Sequence, residues 1–184
     1  THCISSAASD VYKRQEENQS YVYKITQEVE RIDEILIHML ASNPNDNNKQ
    51  QRIDLVEIID KVLGDYQVRI SRQQIDLNLN IDRKVPLIRF DALEVEKIFT
   101  NLIGNALDEM PDGGSLTIAL QADVEKIIIM ISDTGPGIET ENIPRIFDPF
   151  FTTKEKGTGF GLSVVLRVVN NLGGRITVDS PPAT

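Results

Sequence analysis

The stretch from Asp133 to Leu162 concentrates the residue types of this chain that could do chemistry. Asp133-Thr134-Gly135-Pro136-Gly137 opens it, Phe147-Asp148-Pro149-Phe150-Phe151-Thr152-Thr153-Lys154 follows, and Gly157-Thr158-Gly159-Phe160-Gly161-Leu162 closes it. Glycines at alternate positions remove side chains, so backbone N–H groups can approach a polyanion closely. The second cluster runs into an apolar helical pattern, which puts those N–H groups at a helix N-terminus, where the dipole favours negative charge. A nucleotide fits this description. Upstream, Asn101, Asn105 and Asp108 fall at i, i+4 and i+7 and share one polar stripe of a helix. Asparagine is a mediocre helix former, so two in register need a reason. They mark either a solvated face or an amide oxygen for Mg²⁺, a hard cation that keeps waters and bridges phosphates; the glycine clusters favour the second reading. Asp133 ends an apolar strand, where its carboxylate can accept from an adenine amino group or cap the turn through Gly135-Pro136-Gly137. Neither Gly-x-x-x-x-Gly-Lys-Ser/Thr nor a Gly-x-Gly-x-x-Gly after a strand occurs.

The elements that must hold these residues show in the hydrophobic pattern. Val22, Ile25, Val29, Ile32, Leu36 and Met39 are spaced three and four apart, a heptad seam too short to stand alone. Asn43 to Asn48 reads as its end and a linker. Asp54 and Glu57 resemble a capping box, followed by a helical face of Leu55, Ile58, Ile59, Val62, Leu63 and Tyr66. Alternation predicts strands at 75–81 and 116–120. Val85 to Phe90 predicts another strand, and residues 91–110 a helix. Glu125 to Ser132 is nearly all apolar, which places it in the sheet centre. A helix from Gly161 to Leu172 ends at Gly173-Gly174, and Arg175 to Val178 begins a last strand. The order is α+β, with helices on one face of a mixed sheet.

Composition narrows the function classes. The 184 residues carry a net charge of −9, against the basic footprint of a nucleic-acid binder. Phosphates in such an acidic chain call for a local cation. One cysteine, Cys3, excludes an internal disulfide framework and suits a reducing compartment such as the cytoplasm. No apolar run approaches the roughly 18 residues of a membrane helix.

Taken together, the motifs resemble the ATP-binding domain of sensor histidine kinases, in the superfamily shared with DNA gyrase and the mismatch-repair ATPases. Asn101-Leu-Ile-Gly-Asn105-Ala-Leu-Asp-Glu-Met looks like the N box, Asp133-Thr-Gly-Pro-Gly the first glycine box, Phe147 to Lys154 the F box, and Gly157-Thr-Gly-Phe-Gly-Leu the second glycine box. The resemblance covers about residues 52–180. It implies a two-layer sandwich of a mixed sheet against helices, the Bergerat-type fold. It also implies ATP and Mg²⁺ as cofactors. Asn105 would ligate the metal, with Asn101 and Asp108 on the same wall. Asp133 would read adenine, with Gly135, Gly137 and Ile138 beside it. Residues 138–160 would form a lid that brings Lys154 to the γ-phosphate and is anchored by Phe147, Phe150 and Phe151. Gly157, Thr158, Gly159, Phe160, Gly161 and Leu162 would cradle the phosphates. The superfamily's hydrolases carry a glutamate one turn before the metal-binding Asn, as general base. Asn101 stands there, which implies phosphoryl transfer rather than hydrolysis.

The resemblance also implies partners: a phosphoacceptor-histidine helix, a response regulator, and a second copy joined through a helical hairpin. The only histidines are His2 and His38. His38 precedes Met39 where an acidic residue is expected, and reads as a solvated or interfacial histidine. The expected organisation is an unpatterned tail or scar (1–15), half of a dimerisation hairpin (16–43), a linker (44–51) and the catalytic domain (52–184). Both ends lead us to expect a fragment whose acceptor histidine lies elsewhere and whose sheet stops a strand early. An anti-sigma-type protein-serine kinase shares the nucleotide motifs but lacks a heptad helix feeding them. A non-catalytic ATP-binding or scaffold module is the other alternative.

Overall fold

Asp54 and Asp91 start helices by the same local device. Each has an extended backbone, and its carboxylate accepts from the N–H two residues on, at 2.8 Å from Val56 and 2.9 Å from Leu93. At Asp54 the bond goes to Val56 rather than Glu57, so the expected capping box is a simple N-cap. The helices that follow are α1 (Leu55–Arg72) and α2 (Ala92–Glu109). The computed structural model describes residues 50–154 and 157–180. They belong to one compact unit, Asp46–Thr184. The expected tail, the heptad helix with His38 and nearly all of the linker lie outside the described residues.

The strands are β1 (Gln51–Ile53), β2 (Ile75–Ile81), β3 (Ile88–Phe90), β4 (Gly114–Ala122) and β5 (Ile127–Asp133), and a last helix, α3, spans Gly161–Asn171. β2 pairs parallel with β4, and β4 antiparallel with β5, giving a mixed three-stranded sheet ordered β2-β4-β5. β1 and β3 form a separate antiparallel ribbon. Leu116, Ile118 and Leu120 on β4 are fully buried under Ile59 and Val62 of α1 and Phe99, Ile103 and Leu107 of α2. A second cluster joins Ile98 of α2 to Val165 and Val168 of α3. The chain folds as the α+β arrangement of a mixed sheet and helices.

Three expectations about strands change. The apolar run of β5 lies at an edge among the described residues, and β4 holds the centre. Ile128 and Met130 are exposed on β5. A strand's place in a sheet is set by distant partners, which its own composition does not encode. Only Ile88–Phe90 of the 85–90 segment is a strand; Pro86 has no N–H to give a ladder. Residues 175–178 form no strand. Helix α3 ends as expected at glycine: Gly173 has φ +72, its N–H bonds Asn170 O, and Gly174 N–H bonds Val169 O. This is the Schellman pattern, in which a left-handed residue lets two orphan carbonyls find donors.

Candidate functional site

Helix α2 forms the wall of the site. Its apolar face is locked into the core by Val95, Phe99, Ile103 and Leu107, so its polar stripe is held facing outward. At the last turn, Asp108 is pinned from both sides. Its Oδ1 accepts from Arg69 of α1 at 2.7 Å, and its Oδ2 from Lys154 Nζ at 2.9 Å. Arg69 is itself steadied by Gln73, whose other amide atom donates to Leu107 O at 3.1 Å. Partial burial works against the charge on Asp108, but Lys154 and Arg69 outweigh it and hold the carboxyl below the usual carboxylate range. Lys154 also lies 3.3 Å from Glu109 Oε1 and donates to Asn105 Oδ1 at 3.5 Å. A loop lysine therefore reaches three successive polar positions of α2.

The first glycine cluster meets the same wall. Gly135 rests against Glu109, and a Cβ there would come within 3.1 Å of Glu109 Cβ and 2.8 Å of Asp133 Oδ1. Asp133 Oδ1 accepts from Gly135 N at 2.9 Å, so the turn-capping role is present in this exposed residue, leaving Oδ2 outside the turn. Gly137 has φ +77, and Ile138 is tied by its N–H to Ser180 Oγ at 2.7 Å.

The second cluster meets it about two turns earlier. A Cβ on Gly161, the first residue of α3, would lie 2.7 Å from Asn101 Oδ1. The Asn101 amide nitrogen meanwhile donates to Lys97 O at 2.7 Å. Gly159, at φ +73, lies so close to the backbone of Phe150 that no side chain fits. Phe150, itself at φ +70, donates its N–H to Gly159 O at 3.0 Å. Its exposed ring meets the buried ring of Phe160 edge-on at 4.5 Å, and Arg145 sits 4.6 Å over Phe151. The aromatic loop is thus clamped to the start of α3. Phe160 is buried, and Thr158 and Leu162 are half-buried beside it.

Sequence-distant groups converge on α2: Gly161 at Asn101, Lys154 at Asn105 and Asp108, and Gly135 with Asp133 at Glu109. Arg69 and Glu109 were not among the expected site residues. Glu109 adjoins Asp108 and continues the acidic end of the stripe, a signal within reach; Arg69 meets Asp108 only across 39 residues. The oxygen donors Asn105, Asp108 and Glu109 already gather one cation, the Lys154 ammonium, so the donor set suits a hard cation. No group of three or more His, Cys, Asp or Glu that could hold a metal alone occurs among the described residues. Nor is any described helix long and apolar enough to cross a membrane.

Residues 90–184 match the family described as histidine kinase-, DNA gyrase B- and HSP90-like ATPase. Sporulation kinase A of Bacillus subtilis is 33% identical over 168 residues, 91% of this chain and 28% of that protein. The chain therefore spans under a third of that curated relative's length. The solved catalytic domain of histidine kinase ThkA superposes with a TM-score of 0.61 at 27% identity, covering 67% of this chain and 81% of that one. Full-length ShkA, solved in complex with AMPPNP, superposes at 0.60 with 25% identity, covering 68% of this chain and 27% of its own.

Proposed function

Because the chain belongs to the histidine kinase-, DNA gyrase B- and HSP90-like ATPase family and carries the ATP-binding domain of a sensor histidine kinase, we propose that the wall of α2 holds Mg·ATP for phosphoryl transfer to a histidine. The convergence of both glycine clusters and Lys154 on Asn101, Asn105 and Asp108 carries this reading. The complex of ShkA with AMPPNP supports the same ligand class. In this reading Asn105, with Asp108 beside it, would hold Mg²⁺, which when bound offsets the charge of the phosphates. The N–H groups of residues 157–162 point the start of α3 at the phosphates. Asp133 offers its free carboxylate oxygen to the adenine amino group, next to Gly135 and Gly137. Asn101 has no proton-accepting group at the position from which a base would activate water, so hydrolysis is slow and the γ-phosphoryl waits for a better nucleophile. That nucleophile is a histidine on a partner helix, and a response-regulator aspartate receives the group next. Domain boundaries at 15, 43 and 51, a dimer through the hairpin, and a cytoplasmic setting belong to the same proposal.

Calorimetry with Mg·AMPPNP tests it directly. Asn105→Ala is expected to weaken binding at least about tenfold, the range seen when a metal's polar partner is lost, with the circular dichroism spectrum unchanged. Equal affinity in the two proteins would remove the site. With γ-labelled ATP the 184-residue chain is expected to retain no label; label that disappears in His38→Ala would make His38 the acceptor.

A further inference from the structure

We propose that Lys154 makes this site prefer a nucleoside triphosphate to a diphosphate, because it must leave the carboxylates of α2 before either can bind. The inference rests on the nucleotide site proposed above. An ammonium has three donors, and three oxygens of α2 stand round this one: Asp108 Oδ2 at 2.9 Å, Glu109 Oε1 at 3.3 Å and Asn105 Oδ1 at 3.5 Å. Two of its donors go to Asp108 and Asn105, and Glu109 pairs with its charge, so the ammonium is engaged on α2. The Asn105 oxygen that Lys154 touches is also the one a nucleotide-bound metal would need, so lysine and metal compete for one atom. Entry of Mg-nucleotide therefore exchanges one cation for another on the same wall.

The exchange differs between ligands. A triphosphate offers the released ammonium a new anionic partner, its terminal phosphoryl group. A diphosphate lacks that group, and the lost pairing with Asp108 and Glu109 goes uncompensated. Arg69 is bound to the other oxygen of Asp108 and keeps it oriented during the exchange, so Lys154 has a fixed place to return to once the terminal group has gone. The same contact that resists the diphosphate also helps to expel it.

Calorimetry on the 184-residue chain with Mg·ADP and Mg·AMPPNP decides the matter. Lys154→Met is expected to bind Mg·ADP about two- to fivefold more tightly than wild type, the worth of an exposed ion pair, and its triphosphate preference should collapse. Glu109→Gln keeps Lys154 and loosens its seat, so it should move Mg·ADP binding the same way by less. If Lys154→Met binds Mg·ADP no tighter while Mg·AMPPNP weakens, Lys154 is a phosphate ligand only and the proposal fails. Wild type binding neither nucleotide would instead overturn the site itself, and this inference with it.

Discussion

The two ends of helix α2 are tied to the protein by different means. Near its start, Glu94 holds Lys97 and reaches Arg167 of α3 at 3.1 Å, all around the buried cluster of Ile98, Val165 and Val168. That is a helix-to-helix joint with apolar packing behind it. Near its end, Asn105, Asp108 and Glu109 hold a single lysine of a loop, with Asp108 and Glu109 more than 40% exposed. Leu107 and Met110 pack the opposite face of this end into the core, but the loop is held to it by ion pairs and hydrogen bonds alone. The first end is built to stay and the second to be exchanged, because exposed ion pairs contribute little while buried apolar area contributes much.

The contrast can be broken from the rigid side first. Gly161→Val places a carbon 2.7 Å from Asn101 Oδ1 at the joint between α2 and α3. It is expected to push the Asn101 amide aside at a cost of about 1 to 2 kcal/mol of stability, read as the urea midpoint, and to weaken Mg·AMPPNP binding in parallel. A midpoint within error of wild type would mean that the joint is looser than its geometry.

Glu94→Gln is a milder break, expected near 1 kcal/mol. Partial burial raises the carboxyl, but Lys97 and Arg167 outweigh it and hold Glu94 below its usual 4.5. A carboxyl lowered on folding adds stability that is present above the unfolded value and lost as pH falls through the folded one. The variant should therefore differ from wild type at pH 7 and converge with it well below pH 4.5. A constant gap down to pH 2 would sink the assignment.

The smallest effect is expected at the other end. Lys154→Met should change the thermal midpoint by less than about 0.5 kcal/mol equivalent, and added salt should erase what remains. A loss as large as that of Gly161→Val would mean that this joint also carries the fold, and the distinction between the ends would go.

Much of the layout was legible in the sequence because it is local. The cap at Asp54, the apolar face of α1 and the glycine stop of α3 depend on residues within one or two turns. The site was legible in part for the same reason: Asn101, Asn105 and Asp108 share a stripe by helical arithmetic alone. Leu107 falls between those polar positions, yet it is fully buried under α1 and β4. The Arg69–Asp108 pair, the seat of Lys154, and the close approach of Gly161 to Asn101 span tens of residues, and no short pattern encodes them.

The sequence by itself determined the helices of the described residues, three of the strands, and which residues could meet a phosphate or a cation. Backbone dihedrals, side-chain period and the absence of Cβ at glycine act over a few residues, so they survive reading one residue at a time. Tertiary structure alone decided that β5 lies at the edge among the described residues, that Asp108 answers to two cations, and that one lysine fills the wall of α2. Those outcomes follow from which surfaces meet after burial, and burial is a property of the folded whole.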